Sequence, residues 1–307
     1  MSKNKDALTL SQVYIRQRRD EWLAEPNTNF ISNNYGWFGG GDPNTSTIDR
    51  LDFNAQTVSI SPAKLSITRG NLAATSGGGY GWFGGGSSPD TARIDRLDFN
   101  AETVSISPAT LSTAKLNLAA TSGYGYGWFG GGNPLTSTID RLDFNAQTVS
   151  VSPTTLSTVR SDLAATEGNG FGWFGGGNPL TSTIDRLDFL AETVSVSPAT
   201  LSTTRQGLAA TSGGGFGWFG GGLSPVTSTI DRLDFAAQTV SVSPAKLSNI
   251  RFNLAATSGG GFGWFGGGFT STARSTIDRL DFAAQTVSVS PAQLSTTRQQ
   301  LAATGST

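Results

Sequence analysis

The chain predicts an all-β fold: a six-bladed β-propeller of four-stranded blades, its ring closed by the C-terminal strand pairing in the N-terminal blade. Three observations carry this. A unit of about 45 residues recurs six times, each unit reads as four short strands, and the repeat begins and ends out of phase. "WFGGG" starts at Trp37, Trp82, Trp128, Trp173, Trp218 and Trp264, at intervals of 45, 46, 45, 45 and 46 residues. "IDRLDF" follows each copy, and then "TVS[IV]SP" and "LSxxR…LAAT", with Lys115 once replacing the arginine. The copies cover residues 35–304, which leaves an arm, 1–34, and a propeller, 35–307, with closure by 294–307.

Within a unit, "LAATSG" is the first strand, and a glycine turn leads to the second, "[YF]GWFGG". A variable loop precedes the third, "STIDRLDF", and a turn at "NAQ" or "AAQ" leads to the fourth, "TVSVSP". These runs are short, rich in Val, Ile, Thr, Phe and Trp, and bounded by Gly, Pro, Asn and Ser. No window of the repeat carries an apolar 3.6-residue period long enough for a helix. The repeat is entered at Tyr35 with no "LAAT" strand before it, and the chain ends on an unpartnered one. Leu301–Thr304 is therefore expected to be the inner strand of the blade that begins at Tyr35, which leaves no blade with an open inner edge.

In a propeller both faces of every sheet are covered by neighbouring blades, so charges within the strands need partners. Alternation along "IDRLDF" puts Ile48, Arg50 and Asp52 on one face and Asp49, Leu51 and Phe53 on the other. With Arg69 the unit carries two cations and two anions, and a repeated Asp–Arg network between strands or blades is expected. A ring of ligand-binding carboxylates is the functional alternative. The six motif tryptophans are expected to be apolar anchors between blades rather than stacking platforms for sugar or bases.

"GYGWFGGG" contains G-x-G-x-x-G, as Gly79, Gly81 and Gly84, the spacing of a dinucleotide-binding turn. A Rossmann site needs it once, between a strand and a helix. Here the spacing occurs in five of six units and another strand follows, so the glycines are expected to serve turns and close backbone approach near the axis.

Composition narrows the chemistry. There is no histidine and no cysteine, which removes the commonest general base, the commonest metal ligand and thiolate nucleophiles. A net charge of −1 offers no basic field for nucleic acid, and no apolar run is long enough to cross a bilayer as a helix. The N-terminus lacks the apolar core of a signal peptide. No Walker, EF-hand or metal-ligand spacing occurs, so no cofactor and no catalytic residue is expected; a weak divalent-cation site stays open among the aspartates. Asn44-Thr45-Ser46 fits the N-glycosylation pattern, most simply by chance.

Once the shared scaffold is set aside, the units differ mainly in the loop after the triple glycine, and in the two residues after the LSxxR arginine, Gly70-Asn71 in the first unit. Both connections lie on one face of a propeller and define a candidate partner rim: Asp42, Asn44, Ser87, Asp90, Arg93, Asn133, Asn178, Leu223, Val226, Phe269 and Arg274. Asp42, Asp90 and Asp162 are its non-repeat acids. Neutral drift of exposed loops is the alternative. In the arm, Ser11 to Glu25 is patterned for a short helix stopped by Pro26. Tyr14, Arg16, Arg18, Arg19 and Trp22 make it a candidate attachment segment, of the composition favoured at interfaces.

The order of arginine, strand, aromatic-Gly-Gly, Asp-ending strand and Ser-Pro resembles the kelch type of propeller repeat. It departs from kelch in lacking the usual fourth-strand tryptophan and placing tryptophan before the glycines. The wording "GWFGGG…STIDRLDF…TVSVSP…LAAT" is similar to kelch-like repeats of structural proteins of marine bacteriophages, including cyanophages, over about nine tenths of the chain. The resemblance implies a non-enzymatic virion protein, located in the particle as a tail-fibre, tail-tip or capsid-surface propeller. Its partners would be other virion proteins or a host-surface glycan. A free sugar-binding propeller or bacterial adhesin is the second expectation. An enzyme such as a glycan hydrolase is the third, and no acidic pair stands out for it.

Overall fold

The computed structural model describes residues 34–306; the candidate helix of the arm, and Tyr14, Arg16, Arg18, Arg19 and Trp22 with it, lie outside them. Six four-stranded antiparallel sheets form the blades of a β-propeller. Blade 1 holds β1 (Tyr35–Gly39), β2 (Thr47–Asp52) and β3 (Thr57–Lys64). Blade 2 holds β4 (Ala73–Gly77), β5 (Tyr80–Gly84), β6 (Arg93–Asp98) and β7 (Thr103–Thr110). Blade 3 holds β8 (Ala119–Gly123), β9 (Tyr126–Gly130), β10 (Thr138–Asp143) and β11 (Thr148–Thr155). Blade 4 holds β12 (Ala164–Gly168), β13 (Phe171–Gly175), β14 (Thr183–Asp188) and β15 (Thr193–Thr200). Blade 5 holds β16 (Ala209–Gly213), β17 (Phe216–Gly220), β18 (Thr229–Asp234) and β19 (Thr239–Lys246). Blade 6 holds β20 (Ala255–Gly259), β21 (Phe262–Gly266), β22 (Arg274–Asp281) and β23 (Thr286–Arg298). The last strand, β24 (Ala302–Gly305), returns to blade 1 and pairs antiparallel with β1, Trp37 opposite Thr304 and Gly39 opposite Ala302. The ring closes as the phase of the repeat requires.

The outermost strand of each blade carries the Ser-Pro. In blade 1 the β2–β3 register slips between Thr47↔Lys64 and Asp49↔Ile60, so Pro62 sits in an irregular stretch of an edge strand, where its missing N–H costs no ladder bond.

The core lies in the seams between blades. Each motif tryptophan is at most 1% exposed and stacks on the phenylalanine that ends "IDRLDF" in the next blade. Trp37 lies on Phe99, Trp82 on Phe144, and Trp264 on Phe53 across the closure; all six pairs have centroids 5.4–5.9 Å apart and planes within 19–25°. The tryptophans are anchors between blades, as expected.

The glycines of "WFGGG" answer to the same seams. A Cβ on Gly84 would lie 2.7 Å from the Phe129 ring of the next blade, so only glycine lets the two sheets approach there. Gly85 has φ +71 and its Cα faces the Lys115 carbonyl, against which a Cβ would stand at 2.5 Å. Of the cofactor-like glycines, Gly79 is in the β4–β5 turn, while Gly81 and Gly84 are in β5, which leads into β6. No helix opens there, and the dinucleotide geometry is absent from this element.

Charge pairing follows a narrower rule than expected. Asp49-type and Arg69-type residues do pair, and always between blades. Arg69 meets Asp95, Lys115 meets Asp140, Arg160 meets Asp185, Arg205 meets Asp231, Arg251 meets Asp278, and Arg298 meets Asp49 across the closure, at 2.6–3.1 Å with side chains at most 1% exposed. The aspartate also accepts the backbone N–H of the serine in "LSxxR", Ser157 to Asp185 at 2.9 Å for example. Each arginine further donates to the carbonyl of the motif phenylalanine in the next blade, at 3.0–3.2 Å. Burial holds these guanidiniums below their ordinary pKa, opposed by the facing aspartate.

Asp52 and Arg50 do not join that network. Asp52 sits at a strand end, where its Oδ1 accepts the N–H groups of Asn54 and Ala55, 2.9 and 2.8 Å, and shapes its own turn. Arg50 lies over the Tyr35 ring, 4.9 Å from its centroid, and pairs with Glu102 of the next blade. An aspartate that can cap a local turn without leaving water has no need of a buried cation.

Candidate functional site: the variable rim and the axial channel

The chain leaves each second strand through the triple glycine and enters the variable loop, so all six loops open on one face. The connection from each outer strand to the next inner strand arrives on that face too. The two are stitched together by backbone bridges, Gly70 with Ser87, Leu116 with Asn133, Ser161 with Asn178, Gln206 with Leu223, Phe252 with Phe269, and Gln299 with Asp42. The predicted rim residues therefore do lie on one rim.

Their exposure differs. Asn44, Asp90, Asn133 and Asn178 are exposed, whereas Asp42, Ser87, Arg93, Leu223, Val226, Phe269 and Arg274 are half-buried. Several of the latter are committed within the rim. Asp42 accepts from Gln299 Nε2 at 3.1 Å, Arg93 donates to Ser66 Oγ at 3.1 Å, and Arg274 clamps Thr270 Oγ1 at 2.9 Å. Phe269 packs edge-on against Phe252, centroids 5.6 Å apart.

The rim has sides. Leu135 and Leu180 stand 47% and 46% exposed in the loops of blades 3 and 4. Val159 and Ile250 stand exposed in the adjoining connections, since the next residues, Arg160 and Arg251, donate to the carbonyls of Thr136 and Thr227. Blades 3 to 5 thus present an aliphatic sector, and blades 1 and 2 a polar one with Asp42, Asp90 and Arg93. Neither leucine is among the rim residues expected from the sequence, although each sits two residues after Asn133 or Asn178, which are.

The second residue after each LSxxR arginine is not rim surface. Asn71, Asn117, Asp162, Gly207, Asn253 and Gln300 turn inward, all with φ between 53° and 62°. Each N–H donates to the carbonyl of the equivalent residue one blade earlier, 2.7–2.8 Å, and Asn71 closes the circle on Gln300. Six backbone hydrogen bonds ring the axis at the rim end of the channel. Five of the six residues are Asn, Asp or Gly, the types that best tolerate this left-handed conformation. Asp162 is one of them; its carboxylate accepts from Ser161 Oγ at 2.8 Å, and burial pushes its pKa up against that bond and one from Asn117.

At the other end the inner strands line the channel with Ala, Thr and Ser, and with one acid, Glu167. The sequence reading missed it, though the signal was plain: "LAATEG" stands where other units have "LAATSG". Among the described residues no group of three or more Asp or Glu side chains is placed to hold a metal ion.

No protein-family model matches the chain, and no curated protein matches it.

Proposed function

We propose that this chain is a non-enzymatic, kelch-like structural propeller of a bacteriophage particle, whose rim makes protein–protein contacts with another virion protein or with the host surface. The observation that carries the contact reading is the polarised rim. A symmetric scaffold presents an aliphatic sector at Leu135, Val159, Leu180 and Ile250, beside a polar one. Clustered exposed aliphatics rimmed by polar groups are a mark of interaction surfaces. The shared carboxylates, which an enzyme would need, are held instead by buried cations or by turns. The particle assignment rests on the resemblance of the repeat wording to phage structural proteins.

Mass spectrometry and cryo-electron microscopy of purified particles test this. The protein is expected in the particle, with a Leu135→Asp, Leu180→Asp double variant incorporated or contacting its partner several-fold less. A protein soluble in infected cells and absent from particles would overturn the reading. Glycan binding by the isolated propeller, lost on the same double substitution, would point to the sugar-binding alternative.

A further inference from the structure

Glu167 is the one departure from the repeat that introduces a charge into the lower half of the channel. Serine holds its place in four inner strands, Ser76, Ser122, Ser212 and Ser258, and glycine in the last, Gly305. Its carboxylate spans three blades. Oε2 accepts from Thr121 Oγ1 of β8, and Oε1 from Ser212 Oγ of β16, both at 3.2 Å. No arginine or lysine lines this part of the channel, and Glu167 has no ion-pair partner among the described residues. Two further oxygens in residues of the channel lining lack partners: Thr166 Oγ1, in a residue 2% exposed next to Glu167 in sequence, and Thr304 Oγ1, in a residue 5% exposed in blade 1 across the ring. A space of about 80 Å³ lies between these walls. Glu167 is exposed to the channel, and desolvation beside its walls pushes its carboxyl pKa up against the two hydroxyl bonds.

A lone anion on a hydroxyl-lined channel wall has no counter-charge among the described residues. The wall supplies hydrogen-bond acceptors and one negative charge, and no further carboxylate. That set suits a compact ion of single charge. Calcium takes six to eight oxygens, usually from several carboxylates, and magnesium holds a strict octahedron. A quaternary ammonium has no N–H to donate and keeps its charge behind methyl groups, so it pairs poorly with a carboxylate flanked by hydroxyls. We propose that the axial channel binds a compact monovalent cation at Glu167, an alkali ion or the primary ammonium head of an amine, at the end away from the rim. This is independent of the proposed particle role, because it concerns the other face and a different set of residues.

The test is the thermal midpoint of the whole protein at pH 8, titrated with KCl, NaCl or methylammonium chloride. Tetramethylammonium chloride keeps ionic strength constant and has no N–H to donate to the carboxylate. Glu167→Ser, which restores the residue of four other units, and Glu167→Gln are measured beside it. The expected result is a saturable rise in Tm of roughly 2–4 °C, the scale of ligand linkage near ten times Kd for a domain of this size. Both variants should lose it. A response to K⁺ or Na⁺ assigns the site to a free ion, and a response to methylammonium alone assigns it to an amine. A flat Tm in every salt, a rise that survives in Glu167→Ser, or a Glu167-dependent rise larger with CaCl₂ than with the monocations overturns the proposal.

Discussion

The seams between blades and the rim loops are built from the same six units, yet they tolerate difference in opposite ways. At the seams a tryptophan, a phenylalanine, an aspartate and a cation recur with one geometry, and the only exchange is Lys115 for arginine. At the rim the loops vary in length, charge and apolarity. The stitching that holds them, N–H to carbonyl, is indifferent to side chains. Where contacts are made by side chains, the units are locked together. Where contacts are made by backbone, the side chains are free to face outward and diverge. The lesson is that repetition in this chain marks structure, and departure from it marks places worth asking about function.

The comparison can be broken most severely at the closure. Deleting residues 301–307 removes β24, exposes the inner edge of β1 and strips burial from Leu301 and Ala302. Denaturant unfolding is expected to lose on the order of 5 kcal/mol or more, from apolar burial and a row of ladder bonds. If stability were unchanged, the ring would not be closed in solution. Next in size, Asp185→Asn leaves the Arg160 guanidinium buried without its counter-charge, at a cost of about 3–5 kcal/mol. The same measurement on Asp188→Ala, which removes only an exposed turn cap, is expected to cost about 1 kcal/mol. Equal losses would erase the distinction drawn between the two aspartates of the repeat.

A gain is expected at the odd seam. Lys115→Arg restores the fork that, in the other five seams, also donates to the motif phenylalanine carbonyl. It should add about 1 kcal/mol. At the axis, pH sharpens the contrast. Glu167 has its folded pKa raised above the ordinary 4.5, so in that window the folded state holds the proton more tightly than the unfolded chain. Stability therefore falls as pH rises from about that value through the raised one. Glu167→Ser should remove this fall, so the variant gains on the parent above the window and matches it below, read as Tm against pH. Asp162 shifts in the same direction and is present in both proteins, so the difference isolates Glu167. The smallest effect belongs to the rim, where Leu135→Asp should change stability by less than about 0.5 kcal/mol.

Much of this was legible in the sequence. The 45-residue beat gave the blades, the broken phase gave the closure, and one tryptophan per unit implied an anchor between sheets. Alternation put Asp49 with Leu51 and Phe53 on one face and Arg50 with Asp52 on the other, and the covering of both faces foretold that these charges need partners. What alternation could not show was that Asp52, at the strand end before the turn, would satisfy itself locally. Nor could it show that Arg50 would settle over an aromatic ring. The inward turn of Asn71 and its five counterparts was read as rim variation, because its bonds are between backbone atoms and leave no side-chain signature beyond a tolerance of positive φ. The arm stands apart from this comparison. Its helix and its aromatic and arginine residues lie outside the described residues, and they remain expectations from composition.

The circle of six amide bonds at the axis has a consequence for how the protein comes apart. Linear repeat arrays fray from their ends, because a terminal unit has one neighbour to lose. Here no unit is terminal: the amide of Asn71 is answered by Gln300, so the first and last repeats clasp each other as any two neighbours do. Opening one link frees two blades from the axis at once. The six protons should thus exchange with solvent as a set and slowly, near the rate of global opening. A chain whose message is repetition would then behave in solution as a single indivisible object.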